Sequence, residues 1–119
     1  MGAFTIAIQI GDPNGHRFEE VEALVDTGAT LASAPVSLLK KLNVSPMRRG
    51  TFEFADGRQA EMEIGETRVR VEGVETTTPV LFADDNASPL LGAMTLESLL
   101  LGVDPFNQCL VPVTGMLKG

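Results

Sequence analysis

Residues 23–30 read Ala-Leu-Val-Asp-Thr-Gly-Ala-Thr. Three apolar side chains lead to a carboxylate, Asp26, followed by a small hydroxyl residue, Thr27, then Gly28 and Ala29. An acid held at the end of a buried strand sits where desolvation raises its pKa, a setting that suits acid–base chemistry. Gly28 removes a side chain, so a substrate, a water or a second backbone can approach closely. Thr27 offers a hydroxyl able to bond backbone across an interface. Asp followed by Ser or Thr and then Gly arises by chance in roughly one chain of this length in twenty. Taken alone, the tripeptide therefore also reads as a turn after a strand, with Asp as a capping acceptor.

The remaining chemistry-bearing residues are few. One His and one Cys in 119 residues exclude an internal disulfide and a Cys/His zinc cluster. His16 reads as an exposed loop residue and Cys109 as a small buried apolar one. Asp84-Asp85-Asn86 lacks the spacing of a calcium loop and reads as a solvated turn, so neither metal nor cofactor is expected. Lys40, Lys41, Arg48 and Arg49 form a small basic cluster, read as a solvated face near a helix C-terminus, with an anion site as the lesser reading. The formal net charge of −7, with no Tyr and no Trp, argues against nucleic acid as a partner. Apolar runs of about five residues are far below the ~20 of a membrane helix. No basic segment precedes an apolar one, so a soluble, cytoplasmic protein is the expectation.

The elements that must position Asp26 can be read along the chain. Phe4, Ile6, Ile8 and Ile10 alternate with Thr5 and Gln9 and predict a strand over 3–10. Gly11-Asp12-Pro13-Asn14-Gly15 is a hairpin loop. Residues 18–25 form a second strand that begins polar and becomes apolar on both faces, as a strand entering a core does. Pro35 is placed like the first residue of a helix capped by Ser33 or Ala34, with Leu38, Leu39 and Leu42 as its apolar stripe. Residues 51–64 predict a hairpin with Asp56-Gly57 as a two-residue turn. Strands follow over 66–72 and 76–82. After Leu90-Leu91-Gly92 a helix is expected from Ala93 or Met94 to Leu101, with Gly102 as its C′ residue. A last strand begins at Cys109 and runs toward Val113. The layout of apolar pair, Gly-bearing turn and helix occurs twice, at 24–28 with 35–42 and at 90–92 with 94–101. The sum is about seven strands and two short helices in one domain spanning 1–119.

The order of these features resembles the short, single-motif, retroviral-type (retropepsin-like) aspartic peptidases, in particular their bacterial and archaeal cellular members. The resemblance covers most of the chain: an N-terminal hairpin, the strand carrying Asp26-Thr27-Gly28-Ala29, a flap-like hairpin with Ala55, Asp56 and Gly57 at its tip, the structural element Leu90-Leu91-Gly92, a helix and a C-terminal strand. It implies an all-β fold, a closed acid-protease-like β-barrel with two short helices forming one half of a two-fold symmetric dimer. Viral members usually carry Arg soon after the apolar-apolar-Gly element, where it supports the dimer and the active-site strand. Here Ala93 and Met94 stand in those places, so that support must come from elsewhere or the dimer is looser.

The resemblance also implies a mechanism. Two carboxylates at close range share one proton and titrate as a unit. Only Asp26 has the strand-and-glycine setting, so the second carboxylate is expected from Asp26 of another copy, across a two-fold axis. Ala55, Asp56 and Gly57 would close over a substrate bound extended against Gly28. The expected activity is that of a homodimeric aspartic endopeptidase. The alternative is a catalytically weak or inactive dimer of the same fold that binds peptides or serves as an assembly module. A third reading is an acidic structural β-domain with an accidental motif.

Overall fold

The computed structural model describes residues 3–117. Alternating apolar residues write the first hairpin: β1 (Phe4–Gly11) and β2 (Phe18–Val25) pair antiparallel from Phe4↔Val25 to Gly11↔Phe18. The turn between them is held by the Asp12 carboxylate, which accepts the N–H groups of His16 and Arg17 at 2.7 and 2.8 Å. His16 is exposed, as expected. The chain then forms β3 (Ala32–Pro35), α1 (Val36–Lys41), β4 (Arg48–Glu53), β5 (Gln59–Val71), β6 (Val74–Ala83), β7 (Leu90–Leu91), α2 (Ala93–Leu99), β8 (Leu101–Asp104) and β9 (Cys109–Pro112). The fold is mostly β with two short helices. Strands pair in the order β1-β2-β7-β3-β6-β5-β4, and β1 also pairs with β5 over Gln9–Gly11, so the ladders run in a ring. The buried core joins strand residues Ile8, Ile10, Val25 and Leu91 to Leu39 of α1 and Leu96 of α2, among others. β8 and β9 form a separate two-stranded sheet.

Several local expectations are corrected. Pro35 ends a strand and occupies the N-cap of α1 with ψ 140°, rather than starting the helix. Its missing cap bond comes from far along the chain: the Asp85 carboxylate accepts the Ser37 N–H at 3.0 Å, which holds the Asp85 carboxyl below its ordinary pKa. The 84–86 loop is therefore tied to α1 at Asp85. Residues 59–71 form one uninterrupted strand through Gly65, where a Cβ would lie 2.8 Å from the Ser45 carbonyl oxygen. The hairpin tip is a five-residue loop, 54–58, closed by the Phe54 N–H on the Arg58 carbonyl, rather than a two-residue turn. α2 ends at Leu99, with Leu100 left-handed at φ 56°; Gly102 belongs to β8. Cys109 is half-buried. The described residues thus hold nine strands rather than seven.

Among the described residues, three of the four buried polar ones are threonines whose hydroxyls find partners inside. Thr67 donates to the Gly11 carbonyl, joining β5 to β1. Thr78 of β6 and Thr95 of α2 share a hydrogen bond of 2.8 Å, and the more exposed Thr76–Ser98 pair repeats it at 2.6 Å. A buried hydroxyl stripped of its partner costs about 1–3 kcal/mol, whereas removing both partners together is nearly neutral. Thr95→Val is accordingly expected to destabilise by about that amount in urea unfolding, and the Thr78→Val/Thr95→Val double variant by less. Additive losses in the double variant would contradict the pairing.

Candidate active site

The apolar triplet of β2 delivers Asp26 to its place. Ala23 and Val25 are buried, and β2 pairs parallel with β7 through Leu24↔Leu90 and Val25↔Leu91. Two further main-chain bonds fasten the end of the strand: the Leu24 N–H donates to the Pro89 carbonyl at 2.8 Å, and the Asp26 N–H to the Leu91 carbonyl at 3.1 Å. The chain then turns. The Gly28 N–H donates to Asp26 Oδ1 at 3.0 Å and the Ala29 N–H to the Asp26 carbonyl at 3.1 Å. Asp26 and Ala29 are half-buried, while Thr27 and Gly28 are exposed. A Cβ at Gly28 would stand 3.2 Å from Asp26 Oδ1 and crowd the carboxylate.

Leu90, Leu91 and Gly92 act from the other side. At Gly92 a Cβ would lie 2.6 Å from the Leu31 carbonyl oxygen and 2.9 Å from that of Ala29, so only glycine permits this approach. The approach lets the first turn of α2 donate its free N–H groups, from Ala93 to the Ala29 carbonyl at 2.8 Å and from Met94 to the Thr30 carbonyl at 3.0 Å. At Ala93 and Met94 the backbone N–H groups support the aspartate turn, and the Thr78–Thr95 bond fixes the helix that supplies them.

The hairpin of β4 and β5 stands over this turn. Its tip, Ala55-Asp56-Gly57, is exposed. Asp56 accepts the Arg58 N–H at 3.0 Å and its Nε–H at 2.7 Å, and these bonds hold its carboxyl below the ordinary value. Arg58 also lies 5.1 Å from the centroid of the Phe54 ring. Gly57 has φ 88° with no atom crowding its Cβ position, so conformation rather than space demands glycine there. Between hairpin and aspartate turn lies a cavity of about 980 Å³. The hairpin contributes Gly50, Phe52 and Phe54, the turn Gly28, Ala29 and Leu31, and the floor Ile64, Leu81 and Leu90.

The sequence model of the "gag-polyprotein putative aspartyl protease" family matches residues 12–108. The chain belongs to that family. As a retropepsin-like chain it also has solved neighbours in fold. The protease of simian foamy virus (mac) is 18% identical at a TM-score of 0.56, over 78% of this chain and 91% of that one. The EIAV protease in complex with the inhibitor HBY-793 is 21% identical at 0.60, over 82% and 88%. The retroviral protease-like domain of Ddi1 from Leishmania major is 19% identical at 0.59, over 94% and 89%. No protein of the curated set matches the chain in sequence.

Of the candidate site residues, Gly28, Ala29 and Leu90 meet at the cavity, whereas Asp26, Thr27, Leu91, Gly92 and the tip residues 55–57 are not part of its wall. The hairpin meets the cavity through residues just before the tip. Phe52 and Phe54 could have been named from their alternation. Arg48 and Met94, which also line it, could not, because strand register and helix packing decide their direction.

Proposed function

We propose that the chain is one half of a homodimeric aspartic endopeptidase. Two Asp26 carboxylates, one from each copy, share a proton. The ionised one takes a proton from a water, whose oxygen attacks the scissile carbonyl. The protonated one hydrogen-bonds the carbonyl oxygen as negative charge develops there. The substrate lies extended in the groove under the β4–β5 hairpin, its backbone bonded to the hairpin and to the aspartate turn.

The observation that carries this reading is the position of Asp26. It is anchored by Leu91 and Gly28 at an exposed turn beside the groove, in a chain of the aspartyl protease family that offers one such aspartate. Four loop carboxylates elsewhere are engaged by their own surroundings: Asp12 by residues 16 and 17, Asp56 by Arg58, Asp85 by Ser37 and Asp104 by Phe106 and Asn107. The apolar alternation of residues 3–10 and 110–113 suits both segments to pairing across subunits; β1 pairs with β2 along one edge and with β5 only at Gln9–Gly11 along the other, so residues 4–8 keep an open edge. We assign the dimer contact to that edge and to the β8–β9 hairpin, beside which Leu100, Val113, Met116 and Leu117 expose apolar surface.

The test is incubation with an unfolded protein between about pH 4 and 7, with and without a statine-type inhibitor. Fragments that the inhibitor suppresses and chelators leave alone, with a bell-shaped pH profile, are expected. A carboxylate pair needs one member charged and one protonated, so rate falls on both sides of the optimum. A flat profile or chelator sensitivity excludes the mechanism. Peptide binding without fragments identifies the binding module instead.

A further inference from the structure

The basic cluster of residues 40–49 is divided by the fold. Lys41 Nζ lies 3.4 Å from Glu19, and Arg49 lies 3.4 Å from Glu61 and 4.0 Å from Glu63. Lys40 is within electrostatic reach of Asp85. Arg48 has no ion pair among the described residues and is exposed. Its direction follows from the register of β4 on β5. Arg48 pairs with Ile64 and Gly50 with Met62, and paired residues share a face. Ile64, Met62, Gly50 and Arg48 all line the cavity, while Arg49 meets Glu61 and Glu63 on the opposite face. Glu53 is the one other charged residue of the lining; it stands on the Arg49 face and accepts a hydrogen bond from Gln59 at 3.3 Å.

A guanidinium without an ion pair, in a groove lined mainly by apolar and small residues and whose one carboxylate, Glu53, lies on the other strand face, is a recognition element. It is planar, always charged and matched to a carboxylate. We propose that Arg48 selects extended peptides carrying an acidic side chain, Asp or Glu, on a flank of an apolar segment. This rests on the reading of the groove as a peptide site. In a two-fold dimer each end of the groove carries one Arg48, so the preferred acidic positions are symmetric about the midpoint. At an exposed site the gain is modest and falls with salt.

Binding is measured by fluorescence anisotropy on Asp26→Asn protein, so that turnover does not intrude. The probes are apolar decapeptides in which one position at a time is Glu, Gln or Lys. At a flanking position Glu is expected to bind about 2–5-fold tighter than Gln at low salt. Arg48→Glu should reverse the order in favour of Lys, and Arg48→Lys should keep it. Equal binding of Glu and Gln peptides at every position, or a Glu preference that survives Arg48→Glu, overturns the assignment, as does absence of any peptide binding. Cleavage of the same peptides by the unsubstituted protein separates the two readings. Arg48-dependent binding without cleavage removes the peptidase and leaves the specificity, and cleavage indifferent to Glu does the reverse.

Discussion

Asp26→Asn protein is expected to remain folded and to lose peptidase activity by about a thousandfold or more. Asparagine keeps the size of the side chain and an oxygen able to accept the Gly28 N–H, so the turn retains the bond now made to Oδ1. What disappears is the ionisable group. The rate loss should appear in kcat rather than KM, because the carboxylate pair acts on the water and on the charge that develops in the transition state. Circular dichroism and a melting temperature within a few degrees of the unsubstituted protein would show the fold intact. Residual activity above a few per cent in that folded variant excludes Asp26 as the catalytic acid.

Mixing supplies the second test, because it addresses sharing of the site directly. Unsubstituted protein mixed with a ninefold excess of Asp26→Asn chain, at fixed total concentration and after exchange, forms its own homodimer in about one pair in a hundred. Activity per active chain should therefore fall about tenfold, since a heterodimer holds one ionisable carboxyl. Simple dilution should also lower specific activity once it passes the dimer dissociation constant. Specific activity that stays constant in both experiments refutes a site built from two copies.

The sequence made some elements plain for physical reasons. The β1–β2 hairpin was readable because its apolar residues alternate and its turn is crowded with Gly, Pro, Asp and Asn. Asp26 was readable because an apolar strand end, an acid and a glycine occur together. β3 was not. Ala-Ser-Ala-Pro has no alternation, and its residues are strand because β6 and β7 enclose them on both sides. β8 was hidden by Gly102, which resembles a helix stop; the chain instead turns at Leu100, a residue type with no liking for left-handed backbone, since pairing with β9 and the Val113 N–H bond to the Leu100 carbonyl decide the matter. The role of Ala93 and Met94 was invisible because it uses their backbone.

The β2–β7 ladder has a consequence for the order of assembly. β1–β2, β4–β5 and β5–β6 are hairpins between chain neighbours, cheap in loop-closure entropy. The parallel pairing of Val25 with Leu91, and the closing of β1 on β5, join distant segments and must wait for them. A nascent chain thus carries Asp26 long before it carries the Leu91 carbonyl and the α2 N–H groups that hold the aspartate turn. The carboxylate is synthesised early and positioned late, so the proposed peptidase would stay dormant while its own chain is still unfolded and extended.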